Sequence, residues 1–140
     1  MKYANSMADL VGNTPLVKLQ KISSEANLFA KCEFMNPISI KDRPVLQIIN
    51  HAEATGALKP GDTLNREIID EILLIKEEDA FEMCRQLAAR EGMLVGISSG
   101  AVAHIMAELA ARPENKGKNI VGIFADSGQR YLSVEGLFHV

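Results

Sequence analysis

The sequence has no excess of positive charge, two cysteines, no tryptophan and no apolar run long enough to span a bilayer. Each shortage removes a class of function. With a formal net charge of -3 and acids and bases mixed along the chain, there is no basic stripe to neutralise phosphates, which argues against a nucleic-acid partner. Cys32 and Cys84 lie far apart, form no CxxC pair and sit inside apolar patterns. They read as buried reduced thiols rather than a disulfide framework or a zinc site. His51, His104 and His139 are scattered, and no serine occupies a G-x-S-x-G elbow, so neither a metal centre nor a Ser-His-Asp hydrolase is expected. The stretch from Met1 to Leu10 carries one lysine and no continuous apolar segment of signal-peptide length. The expectation is a cytoplasmic chain with no membrane partner.

What is present is the balance of an ordinary globular domain: 47% hydrophobic and 24% charged residues over 140 positions, a length that buries about 70% of the unfolded surface. A short helix is expected around Ser6 to Leu10, followed by a Gly12-Asn13 turn. Two extended runs, Pro15 to Leu19 and Asn27 to Phe34, then read as a hairpin. Asn36-Pro37 breaks the second run, and Val45, Ile48, Ile49 and Ala52 recur at helical spacing, predicting a helix from about Lys41 to Thr55 stopped by Gly56. The turn Lys59-Pro60-Gly61-Asp62 should feed a strand but runs into Asn65-Arg66-Glu67, so the expected strand is missing. Beyond it the pattern alternates regularly: Glu71 to Ile75 as strand, Glu77 to Arg90 as helix, Met93 to Ile97 as strand, Ser99 to Arg112 as helix and Asn119 to Ala125 as strand. This β-α-β-α-β run is the signature of a parallel sheet with crossover helices in an α/β fold. Ile72 to Ile75 and Ile120 to Phe124 look like strands buried on both sides.

Three constellations could carry chemistry. In Ser39-Ile40-Lys41-Asp42-Arg43 a lysine stands at a predicted helix N-terminus, where the helix dipole disfavours a cation and Arg43 adds to the effect while Asp42 opposes it. A lysine that keeps more of its amine neutral is the kind that forms Schiff bases with carbonyls, although most lysines at such positions are solvated surface residues. Gly96-Ile97-Ser98-Ser99-Gly100 closes a strand and opens a helix, so its hydroxyls can cap that helix or meet a ligand beyond the carboxyl ends of the strands. The stretch from Ala125 to Ser133 follows the last strand, and its Asp126, Gly128 and Arg130 read first as a tight turn with a local ion pair.

Taken together, "LVGNTPLVKL", "NLFAKCEFMNP", "KDR" and "GALKPGDT", followed in order by "LNREIIDEI", "EGMLVGISSGA" and "RPENKGKNIVGIFADSGQRYLS", resemble the opening and closing stretches of the cysteine synthase (O-acetylserine sulfhydrylase) and cystathionine β-synthase family. The resemblance covers nearly all of this chain and less than half of a usual family member. It implies an internally shortened remnant of the tryptophan-synthase-β-like fold of pyridoxal-phosphate enzymes. Residues 1–64 would form an N-terminal segment with the lysine motif and residues 65–140 a C-terminal α/β segment, the family's central region being absent at about 64/65. By the resemblance Lys41 matches the lysine that holds pyridoxal 5'-phosphate as a Schiff base and later moves the substrate α-proton, and Ser98 matches the serine that hydrogen-bonds the pyridine nitrogen. The reaction implied is O-acetylserine plus sulfide giving L-cysteine and acetate. Implied partners are a second copy in a homodimer and serine acetyltransferase.

Three departures bear on that reading. The T-S-G-N-T substrate loop and the glycine-rich phosphate loop of the family occur nowhere in this chain, which predicts impaired or absent catalysis by the chain alone. The alternative is a non-catalytic remnant or interaction module docking on relatives or on serine acetyltransferase. The loop before Lys41 is one residue shorter than the family's and lacks its glycines, and Pro44 should bias Arg43 away from helical angles.

Overall fold

The computed structural model describes residues 4–37, 39–47 and 69–138. The turn at Lys59 to Asp62, the junction at 64/65, most of the helix expected to Thr55, and His51 and His139 lie outside these residues.

After a single 3-10 turn at Met7–Leu10, the expected hairpin forms from β1 (Leu16–Leu19) and β2 (Asn27–Cys32), antiparallel with Leu16 opposite Lys31 and Leu19 opposite Leu28. Strand β2 is central because the last strand, β3 (Asn119–Phe124), joins its other edge in parallel, in the order β1-β2-β3. Alternation decides which side is buried. Leu28, Ala30 and Cys32 point inward from β2, and Phe124 from β3, all at most 1% exposed.

Two helices cover that inner face. Helix α1 (Glu77–Gln86) opens on Glu77, Glu78 and Asp79, acids that suit the positive end of a helix, and buries Ala80, Met83 and Cys84. Ala80, Met83, Cys84 and, just beyond, Leu87 are inside, whereas Phe81 and Ala88 are half-buried at the margin of that face. A π-helical turn, Leu87–Glu91, carries the helix to Gly92, whose φ of 70° makes the left-handed cap that a side chain would strain. Helix α2 (Ile97–Ala111) turns Gly100, Ala103, Met106 and Ala110 inward at helical spacing. The helices meet where a Cβ on Gly100 would lie 2.4 Å from both the Ala80 carbonyl oxygen and the Cys84 sulfur. Gly122 of β3 plays the same role against Met106 and Val102 of α2. Both cysteines are free and buried, and burial pushes the Cys84 thiol up to about 11, so it packs as an apolar group.

The α/β class stands, with a small mixed sheet. Two strands of the expected run do not form. Residues 71–76 carry no strand; Ile72 and Leu74 are 78% and 93% exposed, and the segment is tethered by a bidentate pair from Arg112 to Glu71 at 2.8 and 3.0 Å. An apolar run becomes a strand only where a neighbour accepts its ladder, and no described residue pairs with this one. Around Met93 to Ile97 only Val95 bridges, antiparallel to Ser127, before α2 begins at Ile97. Nor is β3 buried on both sides: Val121 and Ile123 are 59% and 51% exposed, since no second layer covers that face among the described residues. No helix among the described residues is long and apolar enough to cross a membrane.

Candidate functional site

The carboxyl end of β3 gathers the three constellations. Its first residue past the strand, Ala125, uses both backbone groups to do so. The carbonyl accepts from the Ile40 amide at 2.9 Å, and the amide donates to Ser99 Oγ at 3.1 Å. Lys41 follows the first of these partners and Ser98 precedes the second, so one strand end fixes the approach of both. Both are exposed, whereas Ser99 is fully buried. Sequence alone left cap and ligand site open for this serine pair. The structure divides the two residues, with the Ser99 hydroxyl committed to the strand and Ser98 facing out at the helix start.

Lys41 sits in the turn immediately before a helical stretch over 42–47. Ser39 builds that start. Its carbonyl accepts from the Asp42 amide at 3.1 Å, its Oγ from the Lys41 amide at 3.2 Å, and its own amide donates to Asp42 Oδ2 at 3.2 Å. Pro44 does not push Arg43 out of the helix. The Ile40 carbonyl, which a residue other than proline at 44 would address, takes the Arg43 amide at 3.2 Å instead, so the missing N–H costs nothing in this first turn.

Arg43 is held from the other side. Its Nε and Nη2 reach the two oxygens of Glu33 at 2.5 and 2.9 Å, and Nη2 also reaches Thr14 Oγ1 at 3.1 Å. Thr14 Oγ1 in turn donates to Glu33 Oε1 at 2.7 Å, and Asn36 Nδ2 donates to Glu33 Oε2 at 2.8 Å. The guanidinium, with help from these two donors, holds the Glu33 carboxyl down to about 2 against the cost of burial. Glu33 had no sequence signal of its own. The available clue was the KDR triplet, which supplies a cation without naming its partner.

Past Ala125, the chain turns as expected, with Ser127 Oγ accepting from the Gln129 amide at 3.3 Å and the Gly128 amide donating to the Leu94 carbonyl at 3.1 Å. The expected ion pair is different, however. Asp126 Oδ2 accepts from the Tyr131 hydroxyl at 2.6 Å rather than from Arg130, and this bond raises the Tyr131 pKa. The Asp126 carbonyl accepts from the Gly96 amide at 3.0 Å, while its Oδ1 is buried without a partner. A Cβ on Gly96 would meet that oxygen at 2.2 Å, so only glycine fits between the strand end and α2.

Known proteins resemble this chain in sequence and in fold. Residues 61–126 match the family described as pyridoxal-phosphate dependent enzyme, a span that includes Ser98 and stops short of Lys41. Over 80 residues the chain is 49% identical to cysteine synthase 3 of Caenorhabditis elegans, covering 57% of this chain and 23% of that protein. Over 62 residues it is 52% identical to cysteine synthase B of Pseudomonas aeruginosa, covering 42% and 21%. Over these stretches the chain is similar to cysteine synthases. Its matches span about a fifth of the length of these curated relatives. The fold agrees: the solved cysteine synthase of Entamoeba histolytica superposes with a TM-score of 0.90 at 17% identity, covering 99% of this chain and 92% of that one. An O-ureido-L-serine synthase superposes at 0.85 and 18% identity, covering 96% and 95%.

The residues at the strand end fit part of a pyridoxal phosphate. A primary amine suits the aldehyde carbon and a neutral hydroxyl suits the ring nitrogen. A glycine-rich cradle for the phosphate is absent from the sequence.

Proposed function

We propose that this cysteine-synthase-like chain carries pyridoxal 5'-phosphate on Lys41, with Ser98 toward the ring nitrogen, and derives from an enzyme of β-replacement that makes L-cysteine from O-acetylserine and sulfide. The observation that carries the reading is Ala125, whose two backbone bonds bring the segments of Lys41 and Ser98 to one strand end. When bound, the cofactor would supply an electron sink for the substrate's α-carbon. The chain's own contribution would be an amine at Lys41 to attach the aldehyde and then hold or move a proton, and a hydroxyl at Ser98 to orient the ring without protonating it. Turnover by the chain alone would be impaired or lost, because neither the substrate loop nor the phosphate loop of the family is in the sequence.

The division at about 64/65, a cytoplasmic location and a homodimer belong to the same reading. A non-catalytic module that docks on longer relatives or on serine acetyltransferase is the second reading, favoured by the apolar side chains of Leu16, Val121 and Ile123 left exposed on the outer face of the sheet. Adding pyridoxal 5'-phosphate to the purified chain should give a visible absorbance band that Lys41→Ala abolishes. A sulfide-dependent cysteine assay then reads turnover. No Lys41-dependent band would leave only the second reading.

A further inference from the structure

Two anchors flank Lys41. On one side the Ile40 amide is bonded to Ala125; on the other, Arg43 is gripped by Glu33. The second anchor is the more elaborate one. Glu33 follows β2 directly, is 4% exposed, and has two donors on each oxygen: Thr14 and Arg43 on Oε1, Asn36 and Arg43 on Oε2. Asn36 passes the restraint on, since its Oδ1 accepts from the Gly12 amide at 2.8 Å. The end of β2, the Gly12 to Thr14 turn and Asn36 thereby converge on one guanidinium two residues beyond Lys41. Glu33 and its hydrogen-bond partners all come from segments outside the helical core, so removing the carboxylate frees the lysine's turn before it disturbs the packing of β2, β3 and α2.

We propose that Glu33 is a positioning residue for Lys41, acting through Arg43. The proposal rests on the reading of Lys41 as the cofactor-bearing lysine. Glu33 touches no reacting atom; it fixes where the helical stretch over 42–47 begins, and so where the Lys41 amine can reach.

The test uses the full chain and its Glu33→Gln variant, which keeps the shape of the side chain and removes its charge. Amide hydrogen exchange is followed at Ile40 and Val45, which hold the turn, and at Leu28 and Ala30, whose amides face β1 and report the sheet. In parallel the chain is treated with pyridoxal 5'-phosphate and borohydride, and labelling of Lys41 is compared by mass spectrometry with that of the exposed Lys116. Glu33→Gln should speed exchange at Ile40 and Val45 by about tenfold or more while leaving Leu28 and Ala30 within about twofold, and should lower the Lys41 to Lys116 labelling ratio. Unchanged exchange at the turn, or a parallel rise in the sheet amides, overturns the proposal. If Glu33→Gln does not fold, Thr14→Val, which removes one partner from each of Glu33 and Arg43, is read by the same two outcomes. Wild-type labelling of Lys41 no greater than that of Lys116 sinks the cofactor reading instead, and the exchange measurement alone then decides whether Glu33 holds the turn.

Discussion

A carboxylate carried into a protein interior stays ionised only if donors replace the water it loses, and at Glu33 they do. Its acidity is therefore a stability term with a definite sign. The native value of about 2 lies below the ordinary 4.5, so the stabilisation is fully present above about pH 4.5 and is lost as pH falls towards and through about 2. The gap corresponds to about 3 kcal/mol, and because the Arg43 side chain is 40% exposed, solvent screening brings the expected contribution nearer to about 2 kcal/mol. Urea unfolding at neutral pH and again near pH 3 should show the wild type losing its advantage over Glu33→Gln as acid is added. Equal acid sensitivity of the two chains would refute the assignment. Lys41 and Ser98 could be proposed at this scale because their motifs are local and contiguous in sequence. Glu33 was not, because a single Glu at the end of a strand looks like surface charge until the hairpin returns and brings Arg43 to it. Arg43 itself was visible, but as a cation acting on Lys41; the structure turns it towards Glu33 instead.

Elements with a clear period were the readable ones. Helices α1 and α2 and the hairpin lie within a few residues of their expected bounds, since apolar spacing of three to four, or alternation, survives translation into packing. The run Ile72 to Ile75 was misread for the converse reason, because four consecutive apolar residues specify no face and depend on a partner strand. Glycines separate two element-scale mechanisms that sequence cannot distinguish. At Gly100 the obstacle is the carbonyl of Ala80, fixed in a helix, so alanine must force α1 and α2 apart at a cost of about 1–3 kcal/mol. At Gly92 space is open and the obstacle is the left-handed backbone, where alanine costs about 1 kcal/mol. Chemical denaturation of the two single variants should rank Gly100→Ala as the more damaging. A Gly100→Ala chain as stable as Gly92→Ala would mean the helices do not cross as closely as described.

Among the described residues the chain forms a three-stranded sheet with α1 and α2 on one side, an asymmetry that should govern its behaviour in solution. Register places Leu16, Lys31 and Ile123 in one row of the outer face and Lys18, Phe29 and Val121 in the next. Lys31 thus lies between Leu16 and Ile123, and Phe29 between Lys18 and Val121, a face too apolar to be well solvated and too interrupted to pack as a core. Strand β3 adds a second liability, since it forms an edge of the sheet among the described residues and carries its exposed Val121 and Ile123 there. The sequence reading of Ile120 to Phe124 as a strand buried on both sides gives way to a single buried face, with Gly122 and Phe124 inward and Val121 and Ile123 outward. Self-association through this face should make the sedimentation coefficient of the wild type rise with concentration. Replacing Val121 with Thr and Ile123 with Lys should suppress that rise without altering far-UV circular dichroism, because the inward neighbours Gly122 and Phe124, which hold β3 on α2, are untouched. Persistence of the concentration dependence in the double variant would move the contact elsewhere, with the exposed Ile72 and Leu74 the next to be replaced.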